Sequence, residues 1–240
     1  MIRRFLGALQ FLTVLPLRAQ TSTPGEAAVF FPLVGVLLGV TAGAMFLIAQ
    51  RFLSSSIAAL LAISGLVAMT GALHEDGLAD VADAFRAGRS RERIMTILKD
   101  SRIGAYGALA LIVSFALRWQ SLIGFQVSAA LGLAVSLAVS RSVLVLLAFV
   151  APSVGRGLGA SFASFLSARI VVAVLAQALL CAVFCGWRGA AMLVASGLTV
   201  LLARSYFLQR LGGVNGDCLG ATCQAVETVN LMILAWQHSS

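Results

Sequence analysis

The chain is poor in charge. Of its 240 residues, 11% are Asp, Glu, Lys or Arg, and only nine are acidic, while 60% are hydrophobic before its 23 glycines are counted. A soluble domain carries charge at about 25% of its positions. This scarcity excludes a disordered chain, and an ordinary soluble domain could not hide so much apolar surface. Prolines number four, and there is no Pro/Ser linker, low-complexity tract or internal repeat. Residues 1–240 therefore read as a single membrane domain. Cysteines also number four. None forms a C-x-x-C pair, which argues against a cysteine zinc site and leaves structural thiols in a reducing compartment. The net charge of +8 suits nucleic acid, an anionic membrane surface or a phosphorylated substrate. Nucleic acid is set aside, because no soluble basic face with interleaved aromatics exists.

What is present is long apolar runs. A helix needs about 20 apolar residues to cross a bilayer. Candidate spans fall at 27–49, 56–73, 104–117, 127–150, 170–185 and 189–203, with a weaker seventh at 219–236 that Glu227 interrupts. The expected fold is an all-α polytopic membrane bundle of six or seven transmembrane helices. The opening MIRRFLGALQFLTVLPL resembles a signal peptide, but no small-residue cleavage motif follows and Pro16 ends the run, so a short interfacial or half-inserted helix is expected. With the amino terminus in the cytoplasm, Arg3, Arg4, Arg18, Arg86, Arg89, Arg91, Arg93, Lys99, Arg102, Arg156, Arg169, Arg204 and Arg210 share that side. Only Arg51, Arg118 and Arg188 are assigned to the other. This is a strong positive-inside bias. It expects a multi-pass protein of the cytoplasmic (inner) membrane with its acidic segments facing the cytoplasm.

Placement of the few acids carries the functional signal. Glu75, Asp76, Asp80, Asp83, Glu92 and Asp100 lie in one window; Asp217 and Glu227 form a second group, and Glu26 stands apart. In HEDGLADVADAF, Asp76, Asp80 and Asp83 fall within roughly 60° of one another on a helix. Like charges so placed repel, and a hard divalent cation such as Mg²⁺, bridging carboxylates to substrate phosphates, would compensate. The competing reading is a solvated membrane-edge helix whose acids pair with nearby arginines. Against it, ionisable residues at a membrane boundary are functional candidates by default.

Downstream, RAGRSRERIMTILKDSRIGAYG supplies Arg89, Arg91, Arg93, Lys99 and Arg102. Topology alone accounts for several of these. Lys99, Asp100, Ser101 and Arg102, beside Gly104 and Gly107, read as the lip of a phosphate site. GGVNGDCLGA surrounds Asn215, Gly216 and Asp217 with glycine just before the last apolar run. Such a turn can present backbone N–H groups to phosphate, and Asp217 could equally be an N-cap. Arg141, inside the fourth predicted span, requires a carboxylate or phosphate partner.

HEDGLAD-x-x-D, LKDSRIGAYGALAL, the span bearing Arg141, and GGVNGDCLGA followed by Glu227 together resemble the cobalamin synthase family, the adenosylcobinamide-GDP ribazoletransferases. The likeness runs nearly end to end and includes FLTVLPL and FPLVGVLLG. One departure is Asn215, where the family more often carries threonine. The resemblance implies a Mg²⁺-dependent bacterial or archaeal inner-membrane transferase of vitamin B12 assembly. Such an enzyme joins adenosylcobinamide-GDP to α-ribazole or its 5′-phosphate and releases GMP. On that basis Asp76, Asp80, Asp83 and Asp217 are expected metal ligands, with Asp80 and Asp83 central to catalysis. Asp100 or His74 is the expected base. Glu75, Lys99, Ser101, Arg102, Arg141, Asn215, Gly216 and Glu227 are expected at the substrates. The lipid bilayer, a second copy of the chain or other cobalamin-assembly enzymes are the expected partners. Rival readings are a CDP-alcohol phosphotransferase or aromatic prenyltransferase, whose D-x-x-D-G-x-x-A-R and N-D-x-x-D-x-x-x-D runs are missing here. A transporter is a further rival, and it would spread its acids near the bilayer midplane.

Overall fold

The computed structural model describes residues 1–17, 22–125, 127–155 and 158–237. Arg18 and Arg156, used above for orientation, lie outside the described residues. Helix α1 (Ile2–Leu12) buries Gly7, Ala8 and Leu12 and exposes Met1 and Ile2, the one-sided pattern of an interfacial helix. Helix α2 (Pro24–Ala27) runs through a 3-10 turn into α3 (Phe31–Ala49). Helix α4 (Ser55–Thr70) begins on the Ser54 hydroxyl, which accepts from Ile57 N at 3.4 Å. Gly71 and Ala72 then take left-handed backbone, φ 64° and 58°, and α5 (Leu73–Ala87) leaves at 88° to α4.

Helix α6 (Arg91–Ile97) precedes α7 (Ala105–Ile123) and α8 (Ala129–Val150). The short α9 (Leu158–Ser164) and α10 (Ala168–Val183) follow. Helices α11 (Gly186–Leu211) and α12 (Gly216–Ala235) close the chain.

Among the described residues, five stretches are long and apolar enough to cross a membrane: Pro24–Ala49, α7, α8, α11 and α12. The bent α4–α5 pair makes a sixth if taken as one broken span, and α10 is a shorter apolar helix of 16 residues. The fold is therefore a polytopic helical membrane bundle. Several predicted boundaries move. The third span runs past Leu117 to Ile123. The second span breaks at the left-handed pair and continues into the acidic helix. The sixth runs on through Arg204 to Leu211, and the seventh begins at Gly216, inside the glycine-rich stretch.

Helix α8 forms the centre, buried along most of its length. Helix α3 lies against it through Gly35, Gly39 and Gly43, which face the α8 backbone at Leu137, Ala134 and Ala130. A Cβ on Gly35 would sit 2.5 Å from Leu137 O. This is the small-xxx-small spacing that lets membrane helices touch backbone to backbone, where apolar burial supplies little driving force. Val172, Leu179 and Leu180 of α10 and Val194, Leu198, Leu201 and Leu202 of α11 point outward and exposed, a surface suited to lipid tails.

Candidate active site

The acidic helix α5 is fixed at both ends by its own carboxylates. Near its start, Glu75 meets Arg118 Nη2 at 3.0 Å. Arg118 Nη1 donates to Glu227 at 3.1 Å, and Arg141 Nη1 donates to the other Glu227 oxygen. With its amide oxygen facing Arg118, Gln224 accepts from Arg118 Nε at 3.0 Å. Two arginines and two glutamates thus join α5, α7, α8 and α12 inside the bundle. Arg118 and Arg141 are each 1% exposed, so charges this deep are tolerable only as a paired set. Arg141 has the carboxylate partner its burial demanded. Arg118 differs from its sequence assignment to a loop on the far side: α7 continues to Ile123, which leaves this residue within the helix and buried.

At the other end of α5, Asp83 accepts from Gly104 N at 2.7 Å and from Gly107 N at 2.9 Å, one oxygen each. These N–H groups belong to the first turn of α7, which lacks a side-chain cap of its own. Asp83 therefore acts as that cap from a neighbouring helix, where a negative charge also suits the helix dipole. Gly107 must stay small, since a Cβ there would strike the Asp83 carboxylate.

Between these two anchors α5 crosses α12 closely. A Cβ on Gly77 would lie 2.9 Å from Asp217 O, so the glycine permits the approach that brings Asp217 beside the aspartate stripe. Asp76, Asp217 and Asp83 are all near enough to repel the charge of Asp80. Asn215, not Asp217, caps α12: its Oδ1 accepts from Cys218 N at 3.0 Å, and Gly216 is the first helical residue. Its Nδ2 donates to Asp217 Oδ2 at 2.8 Å and holds that carboxylate. The turn is pinned by Val214 N to Pro152 O and Val154 N to Val214 O, each 2.9 Å.

Among the described residues no group of three or more His, Cys, Asp or Glu side chains is closed up as a ready metal cage. Asp76, Asp80 and Asp217 nonetheless offer hard oxygen donors whose mutual repulsion a divalent cation would relieve. Mg²⁺ ordinarily takes only one or two protein carboxylates and completes its shell with water and substrate phosphate. The donor set fits such an ion arriving with its substrate.

Asp76, with Asp217, opens on a cavity of about 800 Å³; Asp80 and Asp83, expected at the centre of catalysis, do not line it. His74, Asp76, Lys99, Asn215, Gly216 and Asp217 line it on one side, and Phe11, Phe31, Phe162 and Leu144 line another. Glu75, Arg141 and Glu227, expected at the substrates, sit in the ion-pair network and do not line the cavity. Of the KDSR segment, Lys99 lines the cavity and Ser101 is exposed. Asp100 pairs with Arg102 at 2.6 Å, the Arg102 side chain 86% exposed. The Arg102 guanidinium and backbone N–H hold the Asp100 carboxyl at about 2, which makes it a persistent anion and a weak base. His74 is 2% exposed. The residues missed in the sequence are Arg118 and Gln224, buried partners inside spans, and Phe11, Phe31 and Phe162, which nothing in the local pattern separates from core.

The sequence model of the family described as cobalamin-5-phosphate synthase matches residues 4–235. The adenosylcobinamide-GDP ribazoletransferase of Bradyrhizobium diazoefficiens is 36% identical over 238 residues, covering 95% of this chain and 91% of that protein. Its namesake in Shewanella amazonensis is 34% identical over 253 residues, covering 98% and 96%. The namesake in Escherichia coli K12 is 33% identical over 253 residues, covering 98% and 100%. No solved structure matches.

Proposed function

The chain belongs to the cobalamin-5-phosphate synthase family and is a membrane transferase of phosphate-containing groups; from that premise we propose that it joins adenosylcobinamide-GDP to α-ribazole or its 5′-phosphate. The observation that carries this reading is the convergence of Asp76 and Asp217, from two helices, on one cavity wall with Lys99, with Asp80 behind them close enough to feel both charges. A hydroxyl oxygen of the acceptor ribose forms a new bond to the phosphorus attached to cobinamide. The bond from that phosphorus to the GMP oxygen breaks, GMP leaves, and the hydroxyl proton departs with the GMP phosphate or to water. Reactions of this type ask for positioning and charge neutralisation rather than covalent help.

Mg²⁺ held by Asp76, Asp80 and Asp217 would supply charge stabilisation on the diphosphate. Lys99 gives a mobile positive charge at the cavity wall. Asn215 keeps Asp217 turned to its place, and Asp83 with Glu75 holds the stripe in register. Asp100, already paired to Arg102, serves the loop rather than the proton. Helix α5 meets the amino end of α12 at Gly77 and that of α7 at Asp83, and its own end runs on through α6 as the segment carrying Arg86, Arg89, Arg91, Arg93 and Lys99. That basic segment favours the cytoplasmic side of an inner membrane.

The test is product identification. Purified protein in liposomes, given Mg²⁺ and both substrates, is expected to yield a corrinoid whose mass equals adenosylcobalamin or its 5′-phosphate. Intact substrates after incubation with folded protein would overturn the proposal.

A further inference from the structure

Among the described residues, α11 contributes none to the cavity lining, yet its arginines close the carboxyl ends of three helices that do. Arg188 Nη2 donates to Trp236 O, just past the end of α12, at 3.2 Å. Arg204 Nε donates to Val150 O, the last residue of α8, at 2.8 Å. Arg210 Nη2 donates to Phe85 O at 3.0 Å and to Gly88 O at 2.8 Å, at the end of α5. The last carbonyls of a helix have no partner within it, and a cation placed there also suits the dipole.

Arg210 stands where the chain turns from α5 into the segment that reaches the cavity. Its guanidinium lies over the rings of Phe85 and Tyr206, 5.9 and 5.6 Å from their centroids, and its Nη1 donates to the Tyr206 hydroxyl at 3.2 Å. Among the described residues no carboxylate pairs with it, so its charge is directed at the two carbonyls. From Gly88 the hold passes on to α6. A Cβ on Gly88 would lie 2.7 Å from Ile94 Cγ1 and 3.0 Å from Ile94 N, and Ile94 is fully buried. A Cβ on Gly212, the left-handed residue that ends α11, would lie 3.3 Å from Arg91 Nη1. Gripped in this way, α6 and the residues after it bring Met95, Leu98 and Lys99 to the cavity wall. Lys99 is the chain's single lysine; the other sixteen basic residues are arginine. A flexible ammonium acts as a point charge without a planar fork to fix its direction, so its placement depends on the backbone that carries it.

We propose that Arg210 is a positioning residue. By closing the end of α5 it sets how α6 leaves that helix, and so holds Lys99 at the wall that receives the substrate diphosphate. This inference rests on the reading of the reaction given above.

The test is a double-mutant cycle on the full chain in liposomes. Arg210→Gln and Lys99→Ala are each expected to lower kcat/KM for adenosylcobinamide-GDP about tenfold, the scale of one lost charged hydrogen bond. The double variant should lie within about twofold of Lys99→Ala, because Arg210 then has nothing to position. A merely structural role multiplies the two losses to about a hundredfold, and that result overturns the proposal. Arg188→Gln removes a helix-end cap at the opposite end of α11 and is expected to change kcat/KM less than about twofold. A loss equal to that of Arg210→Gln also overturns it. Should Arg210→Gln not fold, Arg210→Lys keeps one charged donor and gives the same cycle with losses of about threefold. Acylation of Lys99, read by mass spectrometry, reports its position without turnover. Adenosylcobinamide-GDP is expected to slow that acylation in the wild type and far less in Arg210→Gln. Equal protection in both overturns the proposal. Protection that Arg210→Gln loses, in a wild type that forms no product, defeats the reaction reading and leaves the positioning role standing.

Discussion

Arg118 of α7 and Glu75 of α5 meet at 3.0 Å inside the bundle, and the Arg118 side chain is 1% exposed. The pair fixes the start of the helix that carries the aspartate stripe, and Glu227 with Arg141 balances the remaining charge. Removing one member of a buried pair leaves an unpaired charge, at a cost of about 3–5 kcal/mol. Arg118→Ala is therefore expected to lower the thermal stability of the detergent-solubilised protein sharply. Glu75→Gln keeps an acceptor at the same place and should cost less. Melting followed by loss of monodisperse protein on size exclusion checks the order; equal effects would contradict it.

Asp80 and Asp83 are one turn apart but do different work. Asp83 is committed to the amino end of α7 through two backbone N–H groups, so Asp83→Ala is expected to cost roughly 1 kcal/mol of stability, as loss of a helix cap does. Asp80 spends its charge against three other acids. Asp80→Asn should leave expression and melting temperature equal to or above wild type while lowering turnover by roughly a hundredfold or more. Paired melting and rate measurements on the two variants check this; wild-type rates in Asp80→Asn would remove the stripe from the mechanism.

Asn215 does two jobs, capping Cys218 N and holding Asp217. Threonine can cap through its hydroxyl oxygen and has one O–H left to donate, but on a shorter side chain that must serve both partners from a single atom. Asn215→Thr is thus expected to melt near wild type with reduced turnover, whereas Asn215→Ala should lose about 1 kcal/mol as well. Comparing melting temperature with rate in both variants separates the roles.

Much of this arrangement was legible in the sequence. Hydropathy located the spans, and the scarcity of acids pointed to α5 and to the turn before α12. Other parts depended on tertiary placement. The break at Gly71 and Ala72 is invisible to a hydropathy window, because Ala72 is an ordinary helix former forced into left-handed backbone. Arg118 read as a loop residue because the apolar run stops at Leu117, and only its partners on α5 and α12 hold it inside. Asp76, Asp80 and Asp83 shared a stripe as expected, but periodicity cannot say that Asp83 would find the amino end of α7.

A metal at Asp76, Asp80 and Asp217 predicts that Mg²⁺ stabilises the folded protein by mass action. Mg²⁺ is expected to raise the melting temperature of the wild type in the absence of substrate, EDTA to reverse the rise, and Asp80→Asn to show little response. An equal shift in wild type and variant would place the ion elsewhere.

The most direct measurement is GMP release, followed chromatographically, from liposome-embedded protein given adenosylcobinamide-GDP. The account predicts release that requires both α-ribazole (or its 5′-phosphate) and Mg²⁺, with one corrinoid product per GMP. GMP released without the acceptor, or none released from folded protein with all components present, would contradict it.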